Sequence, residues 1–319
     1  MINISVAMAT YNGERYLKEQ LNSIRMQTLP PDEVIICDDG SSDASVELIQ
    51  DYIDKYQLSD RWRIVVNEEN LGYIENFCKA ISLTSGNYIF LSDQDDIFYP
   101  SKFEKICEFM DNHLDCYLVN AGFESIDENG NRLKNMRNTI RFKYKKSRKL
   151  TFKSWLYKSS FPGFSMCFRK EIRKRLVKTN RTHCYGHDQL LGLLALDRNG
   201  NYEIKEILSG YRIHDSNTTG GRNLIEDYRI DTRINQKKRE YREYLLMEKM
   251  IQENGLSLDW KKELKKRKKD IKVRVRCMQQ GNIIPLLNMI LFSKNYPART
   301  ILGDILYLMK NKNRTISDS

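Results

Sequence analysis

Hydrophobic and polar positions alternate along the first hundred residues in a way that separates strands from helices. Residues 2–9 (INISVAMA) form an unbroken apolar run bounded by Thr10-Tyr11-Asn12, which predicts a buried strand. Leu17, Leu21 and Ile24 then recur at helical spacing. Val34–Cys37 is a second short apolar run, and it ends in Asp38-Asp39-Gly40-Ser41-Ser42, a turn rich in helix-capping side chains. Val46, Ile49 and Ile53 mark the helix that follows. Arg63–Val66 predicts a third strand, 71–84 a helix, and Tyr88–Leu91 a fourth strand running into Asp93-Gln94-Asp95-Asp96. Strand and helix alternating at this spacing predict an α/β domain whose mostly parallel sheet is flanked by helices. Ligands of such sheets bind beyond the carboxyl ends of the strands, and the polar clusters at 10–12, 38–43 and 93–96 all fall there.

The pattern changes after residue 129. Residues 130–160 carry few apolar positions and predict loop with short helices, and Gly163–Phe168 predicts a further strand. Residues 184–196 predict an amphipathic helix opening at Gly186-His187-Asp188. From about Asn223 the chain predicts charged helices, with Trp260, Leu264, Ile271, Val275 and Met278 on one stripe. The domain boundaries expected are therefore 1–222 (a donor half, 1–129, and an acceptor half, 130–222) and a basic helical region, 223–319. No internal repeat is visible.

Charge sharpens this division. Of the formal net charge of +11, residues 1–129 carry 9 basic and 24 acidic side chains, 130–183 carry 18 and 1, and 223–319 carry 22 and 12. An acidic first segment argues against nucleic acid wrapping the protein. The basic middle and tail point to an anionic partner at particular faces, either phosphate groups or an anionic membrane surface. Residues 261–280 contain no aromatic to stack a base, so no nucleic-acid partner is expected. The tail's second use is a helix pair joining a homodimer. The longest nearly unbroken apolar run, Ile283–Phe292, is about half of what spans a bilayer. The N-terminus lacks a basic n-region, so no signal peptide is expected. Seven scattered cysteines without a CxxC pair predict buried thiols in a reducing, cytoplasmic setting.

Asp93, Asp95 and Asp96 lie just past a buried strand, and so dense a charge calls for a cation or hydrogen-bond donors. A hard ion, Mg²⁺ or Mn²⁺, suits one or two carboxylates plus a phosphate ligand. A carboxylate of the Asp38-Asp39 turn is a good acceptor for the N3–H of uracil or thymine, and Tyr11 on the neighbouring strand end offers a ring face. Asp188, at a helix start, is placed to act as a general base on a hydroxyl. His214 is a candidate for metal or phosphate. No Ser/His/Asp or Cys/His nucleophile arrangement is present.

In their order, Thr10-Tyr11-Asn12, Asp38-Asp39-Gly40-Ser41-Ser42-Asp43, Asn70-Leu71-Gly72 and Leu91-Ser92-Asp93-Gln94-Asp95-Asp96 make residues 1–220 resemble the family 2 glycosyltransferases of GT-A fold. Asp93-Gln94-Asp95-Asp96, His187-Asp188-Gln189 and Arg212-x-His214-x-x-Asn217 look most like bacterial rhamnosyltransferases of cell-surface polysaccharide synthesis. The resemblance implies a metal-dependent, inverting transfer from a nucleotide-diphosphate sugar donor, dTDP-L-rhamnose or a UDP-sugar, to a hydroxyl of a saccharide or lipid-linked saccharide. It implies that Thr10, Tyr11, Asn12 and Asp39 hold the nucleoside and that Asp93 contacts the nucleotide sugar. Asp95, Asp96 and His214 would hold Mg²⁺ or Mn²⁺, and Asp188 would be the base. Many members carry Glu-Asp where this chain has His187-Asp188. Ser159-Ser160-Phe161-Pro162-Gly163 would line the acceptor pocket, and a lipid-linked acceptor implies a peripheral place at the inner face of the cell membrane. The readings that compete are a sugar nucleotidylyltransferase and a non-catalytic nucleotide-sugar-binding protein. The acidic Thr10-Tyr11-Asn12-Gly13-Glu14 turn opposes the first, and Asp95, Asp96 and Asp188 oppose the second.

Overall fold

A computed structural model describes residues 3–133, 146–156, 161–215, 230–257, 259–292 and 298–312. The chain divides into two units, one made of residues 1–151, 160–179 and 186–214, the other of 152–159, 180–185 and 215–319.

The first unit is built on a sheet of nine strands among the described residues, ordered β3-β2-β1-β4-β8-β6-β9-β5 with β7 beside β9. The strands are β1 (Ile4–Thr10), β2 (Glu33–Asp38), β3 (Trp62–Val66), β4 (Tyr88–Ser92), β5 (Ile97–Phe98), β6 (Leu118–Ile126), β7 (Ser147–Lys149), β8 (Met166–Arg169) and β9 (Asn201–Arg212). β1, β2, β3 and β4 are mutually parallel. Beyond β4 the pairing changes, with β8 antiparallel to both β4 and β6, and β6 parallel to β9.

Helices α1 (Glu14–Arg25), α2 (Ser45–Lys55), α3 (Tyr73–Leu83), α4 (Lys102–Asp111), α6 (Lys170–Lys178) and α7 (His187–Asp197) belong to this unit; the short α5 (Phe152–Leu156) belongs to the other. α1 shows why the crossovers pack as they do. Tyr16, Leu17, Gln20, Leu21 and Ile24 form one buried stripe, and a helix with one apolar face must lay it on the sheet. Val6, Met8, Val34, Ile36 and Phe90 meet that stripe in a core without solvent access.

Two long strands break the expected pattern. β6 and β9 fall where the sequence shows no clean alternation. β9 is interrupted by exposed Lys205, Glu206 and Ile207, and its register against β6 shifts twice around Gly122. Gly163–Ser165 is a 3₁₀ turn, and only Met166–Arg169 is strand. α7 is not amphipathic: Leu190 to Leu196 are all buried.

In the second unit, α8 (Ile230–Glu253), α9 (Lys261–Gln280), α10 (Ile284–Phe292) and α11 (Ala298–Lys312) follow in order. Trp260, Leu264, Ile271 and Met278 of the predicted stripe are buried, and Val275 packs half-buried on the helical core. The stripe is therefore an inward seam and not a surface. Charges reinforce it: Asp304 on α11, itself buried, pairs with Arg274 of α9 at 2.5 Å and with Arg233 of α8 at 2.8 Å.

Candidate active site

Three loops leave the carboxyl ends of β1, β2 and β4 and are knitted together. Asn12 sits in the left-handed region (φ 48°). Its N–H donates to Ser41 Oγ, and its Oδ1 accepts from the Ser42 N–H, each at 2.8 Å. Gly13 N–H donates to Ser45 Oγ at 2.8 Å. Gln94 joins the third loop: its Oε1 accepts from Thr10 Oγ1 at 2.8 Å and from Tyr11 N–H at 2.7 Å. Glycine at 13 follows from this closeness, since a Cβ there would lie 2.5 Å from Gln94 Oε1. Asn12 and Thr10 thus build the loop, while the Tyr11 ring stays half exposed.

The two aspartates after β2 differ. Asp38 is consumed by its own turn, accepting from the Gly40 and Ser41 N–H groups and from Ser41 Oγ. Asp39 reaches the loop after β3. Its Oδ1 accepts from Asn67 Nδ2 (2.7 Å) and Leu71 N–H (2.8 Å), and its Oδ2 from Gly72 N–H (2.9 Å). An ionised carboxylate has about four acceptor sites, so Asp39 keeps capacity for one more donor.

Past β4 the carboxylates also separate. Asp96 is buried (1% exposed), and its Oδ1 accepts from the Arg212 N–H at 3.0 Å. Burial, with Asp95 and Asp93 as neighbours, pushes its carboxyl well above the usual range. Asp95 keeps 17% of its side chain exposed, and its Oδ2 lies 2.8 Å from His214 Nε2. Asp93 is pushed up to about 7 by burial and by the charges of Asp95 and Asp188. Arg212 and His214 both lie at the end of β9. Arg212, without solvent access, donates to the Asp95 and Glu128 carbonyls and pairs with Glu19 at 2.5 Å. Asn217 lies outside the described residues.

Asp188 occupies the first turn of α7, where its Oδ1 accepts from the Gln189 N–H at 2.7 Å. Burial pushes its carboxyl up to about 6, against the lowering pull of backbone N–H groups. Gly186 is dictated by this approach, because a Cβ would sit 2.7 Å from Asp188 Oδ1. His187 turns the other way and stacks on Phe77 at 4.0 Å, and neither ring nitrogen has a hydrogen-bond partner among the described residues. Burial lowers its imidazole to about 3, so it is neutral. A Cβ on Gly163 would fall 2.8 Å from His187 Nε2, which sets that 3₁₀ turn beside the start of α7. Ser159 and Ser160 lie outside the described residues.

Lys102 escapes the sequence reading. It has no solvent access, donates from Nζ to the Phe164 carbonyl (2.6 Å) and Ser209 Oγ (2.8 Å), and lies over the Phe98 ring at 3.4 Å. Burial lowers its ammonium to about 7, while Asp96 and Asp93 among its neighbours oppose the shift. The only signal is periodicity: Lys102 shares a stripe with Phe103, Ile106 and Met110.

Among the described residues no three His, Cys, Asp or Glu side chains form a ready-made metal cage. A hard divalent ion shared with substrate phosphates and water needs only one or two protein oxygens. The partly exposed Asp95 beside His214 supplies such a donor set, whereas Asp96 points into protein.

Comparison with known proteins adds sequence and fold relatives. The family model described as Glycosyl transferase family 2 matches residues 5–176. An uncharacterized glycosyltransferase of Methanocaldococcus jannaschii is 36% identical over 213 residues, covering 66% of this chain and 70% of the relative. Two Bacillus subtilis relatives are spanned over only 45% and 61% of their length. Staphylococcus aureus TarS 1–349, solved with UDP, superposes with a TM-score of 0.58 at 18% identity, over 92% of this chain and 76% of that one. The mannosyltransferase PcManGT of Pyrobaculum calidifontis, solved with GDP-Man and Mn²⁺, gives 0.59 at 15% identity, over 100% and 88%. At these identities the structures establish the GT-A fold.

Proposed function

Given that the chain belongs to glycosyl transferase family 2, we propose that it is a metal-dependent inverting enzyme. It moves a sugar from a pyrimidine nucleotide-diphosphate donor, dTDP-L-rhamnose or a UDP-sugar, to a hydroxyl of a saccharide or lipid-linked saccharide. The observation that carries this reading is that Asp93 lies within reach of the charges of both Asp95 and Asp188. That closeness supports a single site that holds both the donor motif and the candidate base.

The residues divide the work. Tyr11 gives a ring face to the base, and the remaining acceptor site of Asp39 takes the N3–H of uracil or thymine. Asp95, helped by His214, would hold Mg²⁺ or Mn²⁺, which neutralises charge growing on the departing diphosphate. TarS and PcManGT, which share the fold, were solved with UDP and with GDP-Man plus Mn²⁺ respectively. Asp93 contacts the nucleotide sugar. Asp188 takes the proton of the acceptor hydroxyl as that oxygen attacks the anomeric carbon from the face opposite the leaving group. One displacement inverts the centre and needs no nucleophilic side chain. The basic 130–183 segment and the basic tail suit an acceptor with a lipid diphosphate at an anionic membrane surface.

The test is a panel of nucleotide sugars, with and without Mn²⁺, scored for nucleoside diphosphate release. Manganese-dependent release from uridine or thymidine donors, reduced in Asp39→Ala, is expected. Equal affinity for purine and pyrimidine diphosphates would refute the base pocket, and no release from any donor would refute the activity.

A further inference from the structure

α10 and α11 carry apolar residues that no described residue of their own unit buries. Ile284, Leu287 and Leu291 recur on one face of α10, and Leu302, Leu306 and Met309 on one face of α11, all exposed, with Leu291 at 73% and Leu306 at 55%. The opposite faces explain the fold of this pair: Leu286, Ile301, Ile305 and Leu308 share one core with Cys277 and Met278. The outward stripes are thus surplus to folding. Apolar side chains left exposed in a row along a helix face mark an interaction site.

α10 narrows the choice of partner. Its nine residues, IPLLNMILF, hold no charge. Such a helix is normally core or membrane-bound, yet Leu286 is its one fully buried residue among those described. At about 1.5 Å per residue it covers under half of a bilayer's hydrocarbon, and no described helix is long and apolar enough to cross a membrane. A short apolar helix that is neither buried nor spanning fits the plane of a lipid interface. Charge selects the lipid. Residues 223–319 carry 22 basic against 12 acidic side chains, and Lys261, Lys262, Lys265, Lys269, Lys272 and Arg276 are exposed along α9. The same excess opposes a second copy of the chain, which would bring two basic segments together.

We propose that the outward stripes of α10 and α11 dock on an anionic bilayer, entering the boundary between headgroups and acyl chains while basic side chains of the same unit meet lipid phosphates. This deepens the reading of a lipid-linked acceptor and rests on it for its purpose.

The full chain is floated with phosphatidylcholine vesicles, with or without phosphatidylglycerol, at low and high salt. Binding to the anionic vesicles alone, weakened by salt, is expected. Leu287→Asn with Leu291→Asn, and separately Leu306→Asn with Met309→Asn, should each weaken it by at least about tenfold, with unchanged circular dichroism because the sites are exposed. Three results would overturn the proposal: no binding at low salt; equal binding by the variants, which would mean charge alone; or a wild-type dimer in sedimentation that the same variants dissociate. Manganese-dependent nucleoside diphosphate binding, measured on the same samples, keeps the two readings apart. It is lost in the wild type if the enzymatic reading fails, and it stays intact in the variants if only the docking face is wrong.

Discussion

Gln94 clasps the backbone of Tyr11 through both of its polar groups: its Oε1 accepts from the Tyr11 N–H at 2.7 Å, and its Nε2 donates to the Tyr11 carbonyl at 3.0 Å. The amide therefore ties Tyr11, the residue proposed to face the base, to the loop that carries Asp93 and Asp95. Gln94→Ala removes both bonds and the one from Thr10, a stability loss of about 1–3 kcal/mol. Nucleoside diphosphate affinity should fall about tenfold or more in calorimetry. Gln94→Glu keeps the two acceptor bonds but turns a carboxylate toward the Tyr11 carbonyl and adds charge to an acidic cluster, so it should bind donor no better than Gln94→Ala. Wild-type affinity in Gln94→Ala would mean that the loops hold their places without it.

The neighbouring aspartates give opposite expectations. Asp95 is partly exposed beside His214, so Asp95→Asn should abolish the manganese dependence of donor binding with the fold intact. Asp96 is buried, biased toward its neutral form, and accepts the Arg212 N–H. An Asn there keeps the acceptor oxygen, so Asp96→Asn should retain most manganese-dependent binding. Calorimetry with and without Mn²⁺ checks both, and the reverse ranking would make Asp96 the ligand.

This contrast marks what the sequence discloses. The loops after β1, β2 and β4 were legible because each apolar run ends abruptly in polar residues, and alternating strands and helices force those ends onto one edge. Which carboxylate faces solvent was not legible, because Asp95 and Asp96 are adjacent and only the course of β9 turns one toward Arg212. β9 itself was hidden by Lys205 and Glu206, exposed side chains at a bulge mid-strand. Lys102 was hidden because a lysine on an apolar stripe reads as a flaw in the pattern. The α9 stripe is legible as an apolar face, but periodicity does not say what covers it, and only the packing of α8 to α11 turns it inward.

His187 offers a test through stability. Its imidazole is held neutral to about 3 by burial, whereas an unfolded histidine titrates near 6.5. The unfolded chain thus binds the extra proton first, and this site's contribution to stability is lost as pH falls from about 6.5 toward 3. His187→Phe keeps a ring on Phe77 and removes the proton site. Relative to wild type, the variant should gain up to about 2 kcal/mol between pH 6.5 and 5. Thermal melts across that range measure it, and parallel curves for the two proteins would show that His187 titrates in the fold as it does in the unfolded chain.

Asp188 is the proposed base of the chemical step. A sugar hydroxyl is a weak nucleophile until its proton begins to leave, and a base works best when its pKa lies near the working pH. Burial lifts Asp188 to about 6, above a free aspartate and still ionised at neutral pH. The acceptor-dependent rate should therefore fall below about pH 6, approaching tenfold per unit. Asp188→Asn should bind nucleoside diphosphate and Mn²⁺ nearly as wild type and lose about 10²–10⁴-fold in transfer. His187→Ala should be milder and leave the acid limb in place, because that ring is already neutral. The same lifted carboxyl has a stability signature: the fold favours its protonated form, so the ionised form destabilises as pH rises from about 4 through 6. Asp188→Asn should then be more stable than wild type at pH 7, by about 1–3 kcal/mol. A variant slower in transfer yet harder to unfold is the expected mark of a base held in a site that disfavours its charge. If Asp188→Asn transfers at the wild-type rate, or its whole defect lies in donor binding, Asp188 is a helix cap or a donor contact, and the proton goes elsewhere.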